Sequence, residues 1–291
     1  MTRRFVSLLA LAACVGGAVG GQIPVPNGSF ESPGTEYASP LMDSWQKTPK
    51  PEGWDETKYG SWDQLVGSFL NVPPPIVNCD GTQAAFLFAV PGAGIFQDYN
   101  SDPTHAFDAT FETGKSYHLA VGVIGGGGNM PSGAILQLSL YYLDGANNPV
   151  PVASTSVTNR IDLFPNLVTF VDFQVNVPTV GANDAWAGKK MGVQLLSTLN
   201  PGQGGYWDID NVRLTASQLT LANPVYSNGQ FRVTLQSTPG LRVEMLAADD
   251  PGLPILQWSS LGTITNATGS GVFTNSVGSL GRRFYRARAL P

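Results

Sequence analysis

The sequence predicts an all-β protein, a two-sheet jelly-roll sandwich followed by a small immunoglobulin-like or fibronectin-like β-sandwich. Three observations carry that expectation. Short runs rich in β-branched and aromatic residues recur along the whole chain, separated by Gly, Pro and Asn, which is the pattern of strands joined by turns. No stretch has the apolar spacing of a convincing amphipathic helix. Finally, 34 Gly and 22 Pro accompany a charged fraction of 13%, about half the roughly 25% of a typical soluble domain.

The chain opens with a basic Met1-Thr-Arg-Arg4 followed by an apolar, small-residue stretch to Val19. This predicts a signal peptide over residues 1–20 and export to the extracellular space or cell surface. Leu11-Ala-Ala-Cys14 also fits a bacterial lipobox, so secretion and lipid anchoring through Cys14 both stay open. Downstream there is no unbroken apolar run of the length, about 18 residues or more, that a membrane-spanning helix needs. If Cys14 leaves with the signal, Cys79 has no disulfide partner, and the fold must be held by its core or by a metal.

Strands are expected near 25–31, over 81–89 and 93–99 with a turn at Pro91-Gly92, and then over 116–124, 134–142, 167–175, 191–196 and 206–214. Asp144-Gly145 supplies a tight hairpin signal. The resulting count, about eight to ten strands, is that of a two-sheet jelly roll. A second series over 230–236, 241–247, 255–264, 271–274 and 283–288 suggests the smaller sandwich. Charge separates the two regions. Residues 21–216 carry eight Lys/Arg against eighteen Asp/Glu, and residues 217–291 carry six Arg against three acids. The boundary is therefore placed at 216/217. An acidic first domain argues against nucleic-acid binding, and Arg282, Phe284, Arg286 and Arg288 share one parity of a solvated last strand.

Trp207-Asp-Ile-Asp-Asn-Val-Arg-Leu214 is the most informative segment. Trp207 and Ile209 fall on one parity of a regular strand and Val212 and Leu214 on the other, yet all four look like core residues. An extra residue at Asp210-Asn211, a β-bulge, reconciles them. An acid at a bulge invites a partner, and a hard, oxygen-seeking calcium ion suits it. Asp208, on the opposite parity, is expected to be solvated.

The opening Ile23-Pro-Val-Pro-Asn-Gly-Ser-Phe-Glu31, then Pro51-Glu-Gly-Trp54, Asp80-Gly-Thr-Gln-Ala-Ala-Phe-Leu87 and the closing Asp208-Ile-Asp-Asn-Val-Arg-Leu214 together resemble the galactose-binding-like jelly rolls. Within that group they are similar to carbohydrate-binding modules of families four and nine and to the calcium-binding Stig cyclases, over about residues 22–216. The resemblance implies a structural calcium near the meeting of first and last strands, with Glu31 and Asp210 as carboxylate ligands and Ser29, Asp80 and Thr82 as further contributors. The alternative is that Glu31 and Asp210 accept hydrogen bonds from backbone amides at strand ends. The resemblance also implies, for a cyclase, an acid in the Asp210 region and a hydrophobic pocket lined by Trp45, Phe96, Tyr99 and Tyr142.

Aromatic residues give the second functional signal. Trp45, Trp54, Tyr59, Trp62 and Phe69 share one irregular, Pro/Gly-rich stretch, and Trp186 sits in another loop. Rings on loops above a rigid sandwich suit a sugar, whose apolar C–H face stacks on an aromatic plane. Tyr59, Trp62, Trp186 and Trp45 are the expected carbohydrate-binding residues, with Trp54 and Trp258 expected in cores and Trp45 divided between the two roles. Catalytic signatures are missing: no Gly-x-Ser-x-Gly elbow, zinc helix, P-loop or EF-hand loop occurs. His118 sits mid-strand, and His105 has no obvious partner. The function expected is a secreted, non-catalytic polysaccharide- or glycan-binding or adhesion protein. Two alternatives are a Stig-cyclase-like enzyme acting on a hydrophobic small molecule and a purely structural extracellular protein.

Overall fold

The computed structural model describes residues 21–72, 75–99, 107–237, 239–251, 253, 257–277 and 283–290. The expected signal peptide, Cys14 and His105 lie outside the described residues. In chain order the first region forms β1 (Gln22–Ile23), β2 (Ala38–Ser39), β3 (Gln46–Lys47), the short helix α1 (Glu56–Tyr59), β4 (Val66–Leu70), β5 (Gln83–Phe88) and β6 (Gly94–Gln97). It continues with β7 (Lys115–Gly127), β8 (Ile135–Leu143), β9 (Pro149–Thr158), β10 (Val171–Val177), β11 (Gly192–Leu199) and β12 (Tyr206–Gln218). These strands make two antiparallel sheets. One runs β10-β7-β12-β5-β4-β2 with β1 added beside β12, and the other runs β3-β6-β11-β8-β9.

Side-chain alternation explains why the two sheets close on each other. Leu136, Leu138 and Leu140 of β8, Val193 and Leu195 of β11, and Leu119, Val121 and Val123 of β7 are all fully buried in one shared core. Their sequence neighbours point to the outer faces. Burying a residue of this kind contributes roughly 1.5–3 kcal/mol, so the alternating strands fix the register wherever one face is apolar. The outer face of the seven-stranded sheet is partly roofed. Residues 76–79 and 168–170 cross it, joined by Val77 N–H to Val168 O (2.8 Å) and Phe170 N–H to Val77 O (3.0 Å). Under them Ala84, Ile124 and Phe170 form a small separate core.

The second region contains β13 (Thr220–Ser227), β14 (Gln230–Gln236), β15 (Leu241–Ala248), β16 (Ser259–Asn266), β17 (Ser270–Ser276) and β18 (Phe284–Leu290). Two three-stranded antiparallel sheets, β13-β14-β17 and β16-β15-β18, enclose Val233, Leu235, Val243, Met245 and Phe273. Trp258 is buried at 6% exposure, with Arg286 over its ring.

Several expectations are corrected. Residues 25–31 are not a strand: Gly28 N–H bonds to Val25 O and Phe30 N–H to Asn27 O, so this segment turns. Thr158 ends a ten-residue strand, β9, which the Pro-interrupted segment did not announce. β13 was likewise not anticipated.

Candidate functional site

The first and last segments of the large sandwich meet at one turn. Glu31 Oε1 accepts hydrogen bonds from the amides of Thr82 (2.9 Å) and Gln83 (2.7 Å), and its Oε2 accepts the Thr82 hydroxyl (2.8 Å). Two residues earlier in the same turn, the Asp80 amide donates to Asp210 Oδ2 (2.6 Å), while the Asn211 amide donates to Oδ1 (2.6 Å). Val212 N–H bonds to Gly28 O at 2.8 Å, which places the Ser29 segment beside the same strand. Gly81 is required between them: its φ is +100°, and a Cβ there would lie 2.5 Å from Glu31 Oε1.

The bulge that positions Asp210 lies where the apolar parity requires it. The β12–β7 register shifts between Asp210 and Arg213, and Asn211 takes a φ of +53°. Trp207, Ile209, Val212 and Leu214 are all buried in consequence. Asp210 is itself fully buried. Burial pushes its carboxyl up to about 7 against the pull of the Asp80 and Asn211 amides. Burial, reinforced by the adjacent Asp210 carboxylate, pushes the Cys79 thiol up to about 12, which leaves it unreactive at neutral pH.

The residues suit calcium in kind, with carboxylates from both ends of the domain, a hydroxyl and nearby carbonyls, all oxygen donors. Among the described residues there is no group of three or more His, Cys, Asp or Glu side chains disposed to hold a metal, so backbone carbonyls would have to complete the shell.

The aromatic residues do not form the expected platform. Trp45 is 4% exposed and Trp62 3%. Their indole N–H groups donate inward, to Asn27 O (3.0 Å) and Thr48 O (2.7 Å), so neither presents a ring face to a ligand. Both are core residues because the irregular stretch wraps against the sandwich. Tyr59 is half-exposed and leans on Trp54 at 5.2 Å, and Trp54 meets Trp62 edge-on at 5.0 Å. Trp186 packs against the core.

The outer face of the five-stranded sheet presents a different set. Gln46, Phe96, Gln194, Ser139 and Ser154 stand opposite one another in unbroken register across all five strands. Because Ile95, Val193, Leu195, Leu138 and Leu140 fill the core, Phe96, Gln194 and Ser139 point outward. Two residues along β8 from Ser139, Tyr141 donates its hydroxyl to Asp98 Oδ2 at 2.6 Å. Next to it lies an open cavity of about 190 Å³ lined by Asp98, Tyr99, Asp144, Lys189, Lys190 and Gly192. Tyr99 is half-exposed, with Lys190 Nζ 4.7 Å above its ring. Of the residues expected in a pocket, Tyr99 lines this cavity, and Phe96 is half-buried on the outer sheet face. No local motif marks these positions.

On the opposite outer face Asp208 is half-buried and not solvated as expected. Burial alone pushes its carboxyl up to about 7.

Fold and site together define a jelly-roll β-sandwich clasped by acidic residues near its termini. The family model described as HpiC1-like, HpiC1 cyclase, matches residues 21–215, and the chain belongs to that family. Solved structures similar to it include a cyclase from Fischerella sp. TAU, at 19% identity and TM-score 0.49, covering 68% of this chain and 97% of that one. A Stig cyclase from the same organism, in complex with (3Z)-3-(1-methyl-2-pyrrolidinylidene)-3H-indole, is 19% identical, with 68% and 98% covered and TM-score 0.49. The CBM22-1 xylan-binding domain from Paenibacillus barcinonensis Xyn10C is 11% identical, with 68% and 96% covered and TM-score 0.35. The resemblance to Stig cyclases seen in the opening and closing motifs is matched by that family model. No curated protein matches the chain. Among the described residues, no helix is long and apolar enough to cross a membrane.

Proposed function

We propose that this is an exported, non-catalytic binding protein that holds a polysaccharide or surface glycan on the outer face of its five-stranded sheet. The observation that carries the reading is the row Gln46–Phe96–Gln194–Ser139, in register on that outer face. The partly exposed Gln46 and Gln194 amides suit sugar hydroxyls, Ser139 at 1% exposure lying beneath them, and Phe96 and the half-exposed Tyr99 offer rings for apolar sugar faces. The test is retention of the mature chain on a panel of polysaccharides by affinity electrophoresis. Gln194→Ala and Phe96→Ala are each expected to weaken retention about tenfold, the worth of one good contact, with unchanged melting. If the chain is retained by no polysaccharide, or both variants are retained like the parent, the reading fails.

The same proposal gives the Glu31–Asp210 clasp a structural calcium, with Ser29, Asp80 and Thr82 contributing oxygen donors. Support comes from a fully buried carboxyl whose hydrogen-bond partners are neutral amides, a situation a divalent cation relieves. Calcium is expected to raise the melting temperature and EDTA to lower it. Identical melting in both sinks the ion and leaves the amide bonds as the whole clasp.

Membership in the HpiC1-like family favours a second reading, cyclisation of a hydrophobic small molecule. The acid expected for it is Asp210. Both its oxygens accept backbone amides, yet burial outweighs that pull and pushes its carboxyl up to about 7, in the range of a proton donor. Turnover of an indole isonitrile by the mature chain would establish this reading over the first.

A further inference from the structure

The second β-sandwich reverses the charge of the first. Residues 21–216 carry eighteen acids against eight basic residues, whereas residues 217–291 carry six Arg, no Lys and three acids. The register of the β16-β15-β18 sheet decides where much of that charge goes. Val243 and Met245 of β15 and Ala287 of β18 pack into the core. The alternate residues, Arg242 and Glu244 on β15 and Arg286 and Arg288 on β18, therefore stand on the outer face. Successive cross-strand pairs there are Leu246 with Arg286, Glu244 with Arg288 and Arg242 with Leu290. Each pair thus contributes one arginine, in steps of about 7 Å along the strand axis. On the other side of β15, Ser260, Thr263 and Thr265 stand opposite Leu246, Glu244 and Arg242, and all three are exposed. A line of guanidinium groups runs beside a line of hydroxyls.

Two of the guanidinium groups are held in place by the protein. Arg286 lies 4.5 Å from the Trp258 ring and donates from Nη2 to Pro251 O at 3.1 Å. Arg288 donates from Nε, at 3.1 Å, and from Nη2 to the same Glu244 oxygen, Oε2. The Glu244 side chain is 15% exposed against 44% for Arg288, so the carboxylate lies beneath and the guanidinium above it. Arg242 is exposed and has no ion pair among the described residues. The other acids of this region, Asp249 and Asp250, follow the end of β15. A ligand approaching the face meets three cations and one covered acid.

The residue type narrows the ligand. A guanidinium is a planar fork that pairs with two oxygens of a carboxylate or sulfate at once. A line one strand wide suits a single extended anionic chain, whereas duplex nucleic acid, with phosphates on two strands, needs a broader basic surface. The adjacent row of hydroxyls suits a chain that carries hydroxyls of its own. We propose that the outer face of the β16-β15-β18 sheet binds an acidic polysaccharide, with Arg242, Arg286 and Arg288 taking its carboxylate or sulfate groups. This site is on a different sandwich from the glycan face proposed above and does not depend on that reading.

The test is calorimetric titration of the mature chain with alginate, which carries carboxylates, with heparin, which also carries sulfates, and with neutral dextran. Saturable binding of at least one acidic polymer is expected, with none of dextran, and the comparison of the two separates carboxylate from sulfate recognition. Affinity is expected to fall at least tenfold between about 0.05 and about 0.5 M salt, because exposed charges are screened. Arg242→Glu is expected to weaken binding about tenfold with unchanged melting, since Arg242 holds no acid in place. Arg232→Glu makes the same change of charge on β14, where Val233 and Leu235 face the core and Arg232 lies on the outer face of the other sheet. It is expected to bind like the parent, as is Gln194→Ala on the larger sandwich. The proposal is overturned if neither acidic polymer binds, if dextran or duplex DNA binds as tightly, if Arg242→Glu binds like the parent, or if Arg232→Glu or Gln194→Ala costs as much as Arg242→Glu.

Discussion

The two outer faces of the large sandwich are built on one core and differ in almost everything else. The seven-stranded face is crossed by residues 76–79 and 168–170 and carries both acids of β12. One of these is bonded to amides in the clasp and the other is half-buried outside it. The five-stranded face carries a row of amides and hydroxyls around Phe96. Identical strand alternation produces both, so what distinguishes them is the loops. Where a loop covers a face, outward-pointing residues become structural, and where none does, they remain available to a ligand.

The comparison breaks first at the shared floor. Trp207 is fully buried and packs edge-on against Phe164 at 6.3 Å. Trp207→Ala is expected to cost about 3–5 kcal/mol of stability, the range for large aromatic truncations in cores, and to abolish ligand binding by this sandwich through unfolding. Chemical denaturation measures it. A loss under about 1 kcal/mol, the level of an ordinary surface change, would mean that the two sheets do not share this core.

Next in size is the clasp. Gly81→Ala places a Cβ 2.5 Å from the Glu31 carboxylate at a φ of +100°, which L-residues rarely adopt. The expected loss is about 1–3 kcal/mol from backbone strain alone. Calcium dependence of melting should weaken at the same time, while polysaccharide retention of the folded fraction stays unchanged. If retention falls in parallel with stability, the two faces are coupled and the contrast drawn between them is wrong.

How much of this was legible beforehand follows the same division. The bulge at Asp210-Asn211 could be read because Trp207, Ile209, Val212 and Leu214 cannot all be buried on a regular strand, a conflict contained within eight consecutive residues. The union of Glu31 with the Asp80–Thr82 turn followed only from family resemblance, since nothing local links residues so far apart in the chain. The open row was not legible: Gln46, Phe96, Gln194 and Ser139 come from four separate strands, and only the register brings them together. Asp208 was misjudged for a related reason. Parity correctly put it on the outer face, but parity does not report the neighbouring side chains that remove it from water. Trp45 and Trp62 were misjudged because a Pro/Gly-rich stretch reads as an exposed loop, whereas here it wraps its rings against the core.

The smallest expected effect separates the two candidate ligand surfaces most sharply. Tyr59 is the one residue of the expected aromatic platform that is half-exposed, and its ring leans on Trp54. Its helix α1 has no buried residue, so Tyr59→Ala is expected to change stability by no more than about 0.5 kcal/mol. If the ligand lies on the five-stranded sheet face, polysaccharide retention is unaffected, because Tyr59 belongs to a cluster that shares no residue with the Gln46–Phe96–Gln194–Ser139 row. A severalfold loss in Tyr59→Ala, with Gln194→Ala silent, would move the glycan site to the loop surface beside α1 and make the open sheet face structural.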